Sequence, residues 1–315
     1  MGLKRKTIKA IITKKVNDWI SSIEDATLQE KLKKSVIVTG GCIVSMLLNE
    51  KVNDFDIYLR DKDATLAVAN YYVKKFKSRT QKGIEVPLSV QDDGGRVRIV
   101  AQSAGVVSEQ GTDVPYQYFE NSAEGEAEEY VRSVIDNPEQ IADTYEETED
   151  AVQDITDKKN PYRPVFLTSN AITLSDKIQI VIRFYGEPEQ IHENFDFVHC
   201  TNFYTSWDEK LTLRADALEA ILAKELRYVG SKYPVCSLVR LRKYFSRNWK
   251  INAGQILKIA LQVSELDLTN LEVLSDQTLG VDAAYYVQVI ELLRQKNPEK
   301  VDAAYLVEIL DRIFG

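Results

Sequence analysis

The sequence predicts an α/β (α+β) fold: a small mixed-sheet domain followed by an all-helical C-terminal domain. Two observations carry this. Up to about residue 205, short β-branched runs such as 36–38 (VIV) and 177–185 (KIQIVIRFY) alternate with segments of helical periodicity. From Leu211 onward only helical patterns remain. The expected boundaries are 1–205 for the mixed-sheet domain, with an acidic insertion at about 120–160, and 206–315 for the helical domain.

At the N-terminus, Ile8, Ile12, Val16, Trp19 and Ile23 recur at helical spacing, and a second short helix is expected over 28–34. The β-branched run Val36-Ile37-Val38 then leads into Thr39-Gly40-Gly41, an apolar helical stretch over 42–48, and Asn53-Asp54-Phe55-Asp56-Ile57-Tyr58-Leu59. With a period of two, Asp54, Asp56 and Tyr58 share one strand face, and Phe55, Ile57 and Leu59 point into a core. Two carboxylates so placed repel each other unless a cation lies between them. Mg²⁺ takes hard oxygen ligands and is commonly held by one or two carboxylates plus substrate phosphates. The glycine pair permits close backbone approach, and a helix N-terminus offers N–H groups to an anion.

Gly40-Gly41, twelve intervening residues, then Asp54-Phe55-Asp56-Ile57 resembles the signature of the DNA polymerase beta nucleotidyltransferase superfamily, which includes poly(A) polymerases and tRNA CCA-adding enzymes. The resemblance covers about 25 residues tightly. It implies transfer of a nucleoside monophosphate from a triphosphate to an acceptor hydroxyl, with an RNA 3′ end or tRNA as the acceptor and two Mg²⁺ ions as cofactor. Asp54 and Asp56 would be catalytic and hold the metal, and Gly40 and Gly41 would hold the distal phosphates. A third carboxylate is expected on a neighbouring strand. Gln179 occupies that place by chain order, and Asp196 is the other candidate, although by order Asp196 is more like a later nucleotide-holding Asp. The Arg-Asp pair that follows the glycines in CCA-adding enzymes is Val44-Ser45 here, a departure from the tRNA-specific pattern. A catalytically silent relative that serves in binding is the alternative, and Gln179 favours it.

Further on, a helix is expected over 63–76, strands over 85–90 and 96–102 with a turn at 92–95, strands over 164–174 and 177–185, a short helix over 187–193 and a strand over 195–203. Within that last strand, His199 and Cys200 would face opposite ways and form no dyad. Helices are expected over 213–228 and 235–250. The second resembles the arginine- and aromatic-rich helix after the catalytic domain in CCA-adding enzymes, which makes Arg240 and Lys243 nucleotide-binding candidates. At about 100° per residue, Arg240, Lys243, Arg247 and Lys250 would form one cationic stripe along an RNA backbone. Near the C-terminus the pentapeptide at 281–285 (VDAAY) recurs at 301–305, which suggests an antiparallel helical hairpin serving as a helical cap or a protein-contact surface.

Composition narrows the classes. The 315 residues carry a net charge of −8, yet residues 120–160 hold fourteen acidic and three basic side chains, so the remainder is about +3 and compatible with a nucleic-acid partner. The acidic insertion could contact a basic protein partner. Three scattered cysteines and two histidines exclude a zinc cluster of ordinary spacing and favour a reducing compartment. Apolar stretches fall short of a membrane span and no signal peptide is evident, so no membrane partner and a cytoplasmic location are expected.

Overall fold

The computed structural model describes residues 2–78, 88–92, 95–101, 118–120, 161–168 and 170–268, with 273 and 277. The acidic insertion, the 281–305 repeat and the middle of the 92–95 turn lie outside these residues. The chain divides into two compact units: residues 1–121, 152–195 and 199–222 form the first, while 122–151, 196–198 and 223–315 form the second.

In the first unit, α1 (Arg5–Ser21) buries Ile8, Ile12, Val16 and Trp19 against the core. Asp25 caps α2 (Ala26–Lys33) by accepting from the Thr27 and Leu28 amides, and Asp61 caps α4 (Lys62–Lys77) through the Ala64 amide. Between them lie β1 (Val36–Thr39), α3 (Gly41–Leu48) and β2 (Phe55–Leu59). The hairpin β3 (Leu88–Asp92) and β4 (Val97–Ala101) forms a separate two-stranded sheet.

Next come β5 (Tyr118–Glu120), β6 (Pro164–Thr168), β7 (Ala171–Leu174), β8 (Ile178–Tyr185), α5 (Pro188–His192), β9 (Phe203–Thr205), β10 (Lys210–Thr212) and α6 (Ala215–Ala223). The large sheet runs β10-β9-β1-β2-β8-β7-β6-β5, with β2 and β8 parallel and every other neighbouring pair antiparallel. It is a mixed sheet, as the sequence predicts.

One sheet face builds the main core: Val36, Val38, Ile57, Leu59, Ile178 and Ile180 pack with α1, α3 and α4. Each such side chain, fully buried, contributes about 1.5–3 kcal/mol. Trp19 satisfies its indole N–H on the Tyr72 hydroxyl at 2.8 Å within this core. The opposite face carries a smaller cluster of Ile37, Tyr58, Val181, Ile191 and Phe203.

The second unit contains α7 (Pro234–Ser246) and α8 (Ala253–Ser264), with Asn252 capping α8 through the Gln255 amide. Phe197, Tyr228, Tyr244 and Trp249 meet edge-on or tilted in a chain of ring contacts. No described helix is long and apolar enough to cross a membrane.

Four expected elements differ. The 164–174 run is two antiparallel strands, because the chain reverses between Thr168 and Ala171. The strand expected over 195–203 is a bridge at Phe197, a 3₁₀ turn at Val198–Cys200 and the short β9. Its backbone bonds go elsewhere: the Val198 amide donates to the Arg227 carbonyl, and the Val229 amide to the Asp196 carbonyl. The helix expected over 213–228 stops at Ala223, where Lys224 takes a left-handed φ of 48°. The helix expected over 235–250 stops at Ser246, because Asn248 has φ 60° and Lys250 bridges to Glu225. Arg247 and Lys250 therefore leave the helix, and the four-residue stripe is reduced to Arg240 and Lys243.

Candidate active site

Sheet pairing gathers the first set of residues. Across β1, β2, β8 and β7, Thr39 pairs with Asp56, Asp56 with Gln179, and Gln179 with Thr173. Residues in register project to the same face, so these four form one polar row. Its ends are buried, with Thr39 at 0% and Thr173 at 7% exposure, while Asp56 and Gln179 are half-buried. The parallel junction of β2 with β8 makes the row, since it brings Gln179 beside Asp56 from a distant part of the chain. Of the two candidates for the third metal position, Gln179 is the one in register with Asp56.

Gly40 caps the row. Its φ of +84° disfavours any side chain, and a Cβ there would lie 2.7 Å from Asp56 Oδ2. Conformation thus requires glycine, and any side chain there would also displace the Asp56 carboxylate. A Cβ on Gly41 would meet no atom within 4 Å, so the start of α3 is open on that side. The Gly40 amide already donates to the Cys200 carbonyl at 3.2 Å. Among the backbone groups expected to meet phosphate, the Gly40 N–H is therefore engaged.

Asp54 is half-buried and precedes β2, whose first residue, Phe55, donates its amide to the Lys177 carbonyl at 2.8 Å. The Cys42 thiol, in the first turn of α3, has its pKa pushed well up, first by burial and then by the Asp56 and Asp54 carboxylates. Both carboxylates therefore act on the same helix start. Among the described residues no group of three or more His, Cys, Asp or Glu is placed to hold a metal ion. Two carboxylates and an amide oxygen are nonetheless an all-oxygen donor set, which fits a hard divalent cation completed by phosphate or water oxygens.

Sequence reasoning missed what lies behind Thr39. Thr39 Oγ1 sits 2.8 Å from the Asn202 carbonyl, 3.2 Å from the Cys200 carbonyl and 2.9 Å from His192 Nε2. Burial, and secondarily Arg214, push the His192 pKa down to about 3, so the ring is neutral. The only available cue was a histidine beside the apolar Ile191, just before the stretch that carries Asn202. His199, the histidine singled out in the sequence, is 1% exposed within the 3₁₀ turn.

In the second unit, Asp196 is 6% exposed and accepts from Arg240 Nη1 at 2.9 Å. Two residues expected to hold a nucleotide thus hold each other. Lys243 is exposed on the following turn of α7.

A family model described as "Gabija anti-defense 2 family protein" matches residues 10–224, more than half of the chain. The chain belongs to the Gabija anti-defense 2 family. The matched region contains the glycine turn, Asp54, Asp56, Gln179, His192 and Asn202, so the polar row lies inside what defines this Gabija anti-defense 2 chain. A curated relative, "Gabija anti-defense 2" of Bacillus phage SPbetaL7, is 27% identical over 139 residues, covering 44% of this chain and 33% of the relative. The match thus spans about a third of that relative's length.

Among solved structures, the Thermotoga maritima CCA-adding enzyme complexed with tRNA aligns at 12% identity and TM-score 0.39, covering 89% of this chain and 56% of that one. A tRNA-processing enzyme with CTP aligns at 10% identity and TM-score 0.39, covering 91% and 57%. A complex of a CCA-adding enzyme with CTP aligns at 11% identity and TM-score 0.37, covering 95% and 53%. Likeness at that level carries no weight for this chain's function.

Proposed function

We propose that this chain is a metal-dependent nucleotidyltransferase used against Gabija defence in the cytoplasm. It transfers a nucleoside monophosphate from a nucleoside triphosphate to an acceptor hydroxyl and releases pyrophosphate. The observation that carries the reading is the polar row, with Asp56 in register with Gln179 and packed against Gly40 at the start of α3. The anti-defence role rests on the family name alone.

In this reading Asp54 and Asp56 hold Mg²⁺, with the Gln179 amide oxygen as a neutral third donor. The chemistry that such ions would supply when bound is activation of the attacking oxygen and neutralisation of charge on the triphosphate. The chain's own part is positional. Gly40 lets the carboxylate and the helix start approach, and the amides of Gly41 and the following first turn of α3 are offered to the distal phosphates. For Asp196, Arg240 and Lys243 of the second unit a nucleotide-binding role rests on the resemblance alone, and Asp196 and Arg240 already form a pair. An RNA 3′ end, tRNA included, is the proposed acceptor. The shortened α7 removes the stripe that would have tracked its backbone, so support for RNA comes only from the resemblance. A protein partner, through the acidic insertion or the C-terminal repeat, accords equally with the family name.

A second reading has one specific observation behind it. The residue in register with Asp56 is an amide and not an acid, which suits a catalytically silent binding protein. The two are separated by incubating the chain with each of the four ribonucleoside triphosphates, Mg²⁺ and either mixed RNA or a Gabija-expressing cell extract, and measuring pyrophosphate release. Release that falls about 10²–10³-fold in Asp56→Asn supports the enzyme. Nucleotide binding without release from any mixture supports the silent reading.

A further inference from the structure

Three hydrogen-bonding atoms surround the Thr39 hydroxyl, and it has one proton to give. The Asn202 carbonyl at 2.8 Å is the nearest acceptor, with the Cys200 carbonyl behind it at 3.2 Å, and neither can donate. His192 must then be the donor in the third contact, through Nε2–H at 2.9 Å. That fixes the tautomer: Nδ1 carries the lone pair, and Nδ1 has no hydrogen-bond partner in its buried position. The Asn202 side chain is also fully buried and accepts the Arg214 amide at 2.8 Å. Thr39 is thus the hub through which α5 and the 200–202 segment are tied to the end of β1.

That hub acts on the next residue. Cys200, whose carbonyl lies by the Thr39 hydroxyl, takes the Gly40 amide at 3.2 Å. Gly40 makes this bond at φ +84°, and the Asp56 carboxylate lies on the side where a Cβ would project, with Oδ2 2.7 Å from that position. Freed from the 200–202 segment, a glycine at this position has the widest choice of conformations of any residue.

We propose that Thr39, supported by His192, is a positioning residue for the glycine turn: it holds the Gly40 peptide so that the Asp56 carboxylate and the start of α3 keep one geometry toward a triphosphate. This rests on the nucleotide-binding reading above. The hydroxyl does the work and the methyl group does not, so Thr39→Ser retains the function. Thr39→Val, nearly the same shape without the hydroxyl, loses it.

Two measurements test the inference on the full chain. The first is amide hydrogen exchange of Gly40 without nucleotide, expected to be about tenfold faster in Thr39→Val and close to wild type in Thr39→Ser. The second is the affinity for each ribonucleoside triphosphate with Mg²⁺, expected to fall about tenfold in Thr39→Val and less than about threefold in Thr39→Ser. Should Thr39→Val fold poorly, Thr39→Ala is compared with Thr39→Ser in the same way. Equal Gly40 exchange in wild type and a folded hydroxyl-less variant overturns the positioning role. So does unchanged triphosphate affinity in that variant. Faster Gly40 exchange in a chain whose wild type binds no triphosphate overturns the nucleotide reading, and with it the purpose assigned to the clamp.

Discussion

Asp56 in the first unit and Asp196 in the second are held by different chemistry. Asp196 is buried and bonded to the Arg240 guanidinium at 2.9 Å, so its charge is answered by a full opposite charge within its own unit. Asp56 is half-buried, its register neighbours Thr39 and Gln179 are uncharged, and the like-charged Asp54 lies two residues before it. A carboxylate paired with a guanidinium in a protein interior fixes the local structure. In the nucleotidyltransferase reading proposed above, one that neighbours a second carboxylate, an amide and a glycine turn would instead be a ligand to a divalent cation.

The largest difference between them should appear in stability. Arg240→Ala leaves the Asp196 carboxylate buried without its cation and should cost about 2–4 kcal/mol in denaturant unfolding. Asp196→Asn should cost less, since it removes the more buried charge and leaves the Arg240 guanidinium, which is 26% exposed, in contact with water. Asp56→Asn should leave the unfolding midpoint unchanged or raise it, because repulsion from Asp54 is relieved. A loss in Asp56→Asn as large as that in Arg240→Ala would erase the distinction between the two carboxylates.

A second effect comes from behind the polar row and appears only at acid pH. His192 is neutral in the folded protein, with its pKa down at about 3, and titrates near the ordinary histidine value of about 6.5 when unfolded. Between those values the unfolded chain binds one more proton at this position. The contribution of His192 is therefore fully present above about pH 6.5. It is lost as pH falls toward 3, by at most about 1.4 kcal/mol per pH unit. His192→Gln can keep an N–H donor for Thr39 and has no such proton to bind. The difference between wild type and His192→Gln in unfolding free energy should tilt below pH 6.5 and be flat above it. A flat difference throughout would mean that the ring is solvated and titrates normally.

The two regions also differ in how much of them was legible in the sequence. The stretch from β1 to β2 was readable because its signals are local: β-branched residues, a glycine pair, an apolar helix and a strict period of two. The region around Asp196 was not. Phe195 and Phe197 alternate as strand residues do, but the backbone from 196 to 198 bonds to Arg227 and Val229, and those tertiary bonds override the pattern. The end of α7 was likewise hidden, since nothing in Arg247-Asn248-Trp249 forbids a helix. There Trp249 is buried against the Tyr244 ring, and Asn248 makes the left-handed turn that allows it. The polar row was half legible. Chain order pointed to Gln179, but only pairing in the sheet puts it beside Asp56, and Thr39's ties to His192 and Asn202 are purely tertiary.

The smallest expected effect concerns Gln179, where the two carboxylate environments can be made to converge. Neighbouring strands lie about 4.8 Å apart, and Gln179 is in register with Asp56 on the parallel pair β2–β8. Gln179→Glu places a second charge there at nearly constant shape. Without a cation the new carboxylate repels Asp56, and the melting temperature should fall. With Mg²⁺ the sign reverses, since a further negative oxygen ligand attracts the ion. At about 5 Å and a water-like dielectric the added attraction to a divalent ion is about 1.7 kcal/mol, or about a fifteenfold tighter Mg²⁺ affinity. Thermal unfolding across a Mg²⁺ titration reads both signs in one experiment, with Ca²⁺ as a test of ligand geometry. Curves for Gln179→Glu that parallel those of wild type at every Mg²⁺ concentration would place residue 179 outside any ion site. The amide would then be a strand residue that happens to neighbour Asp56.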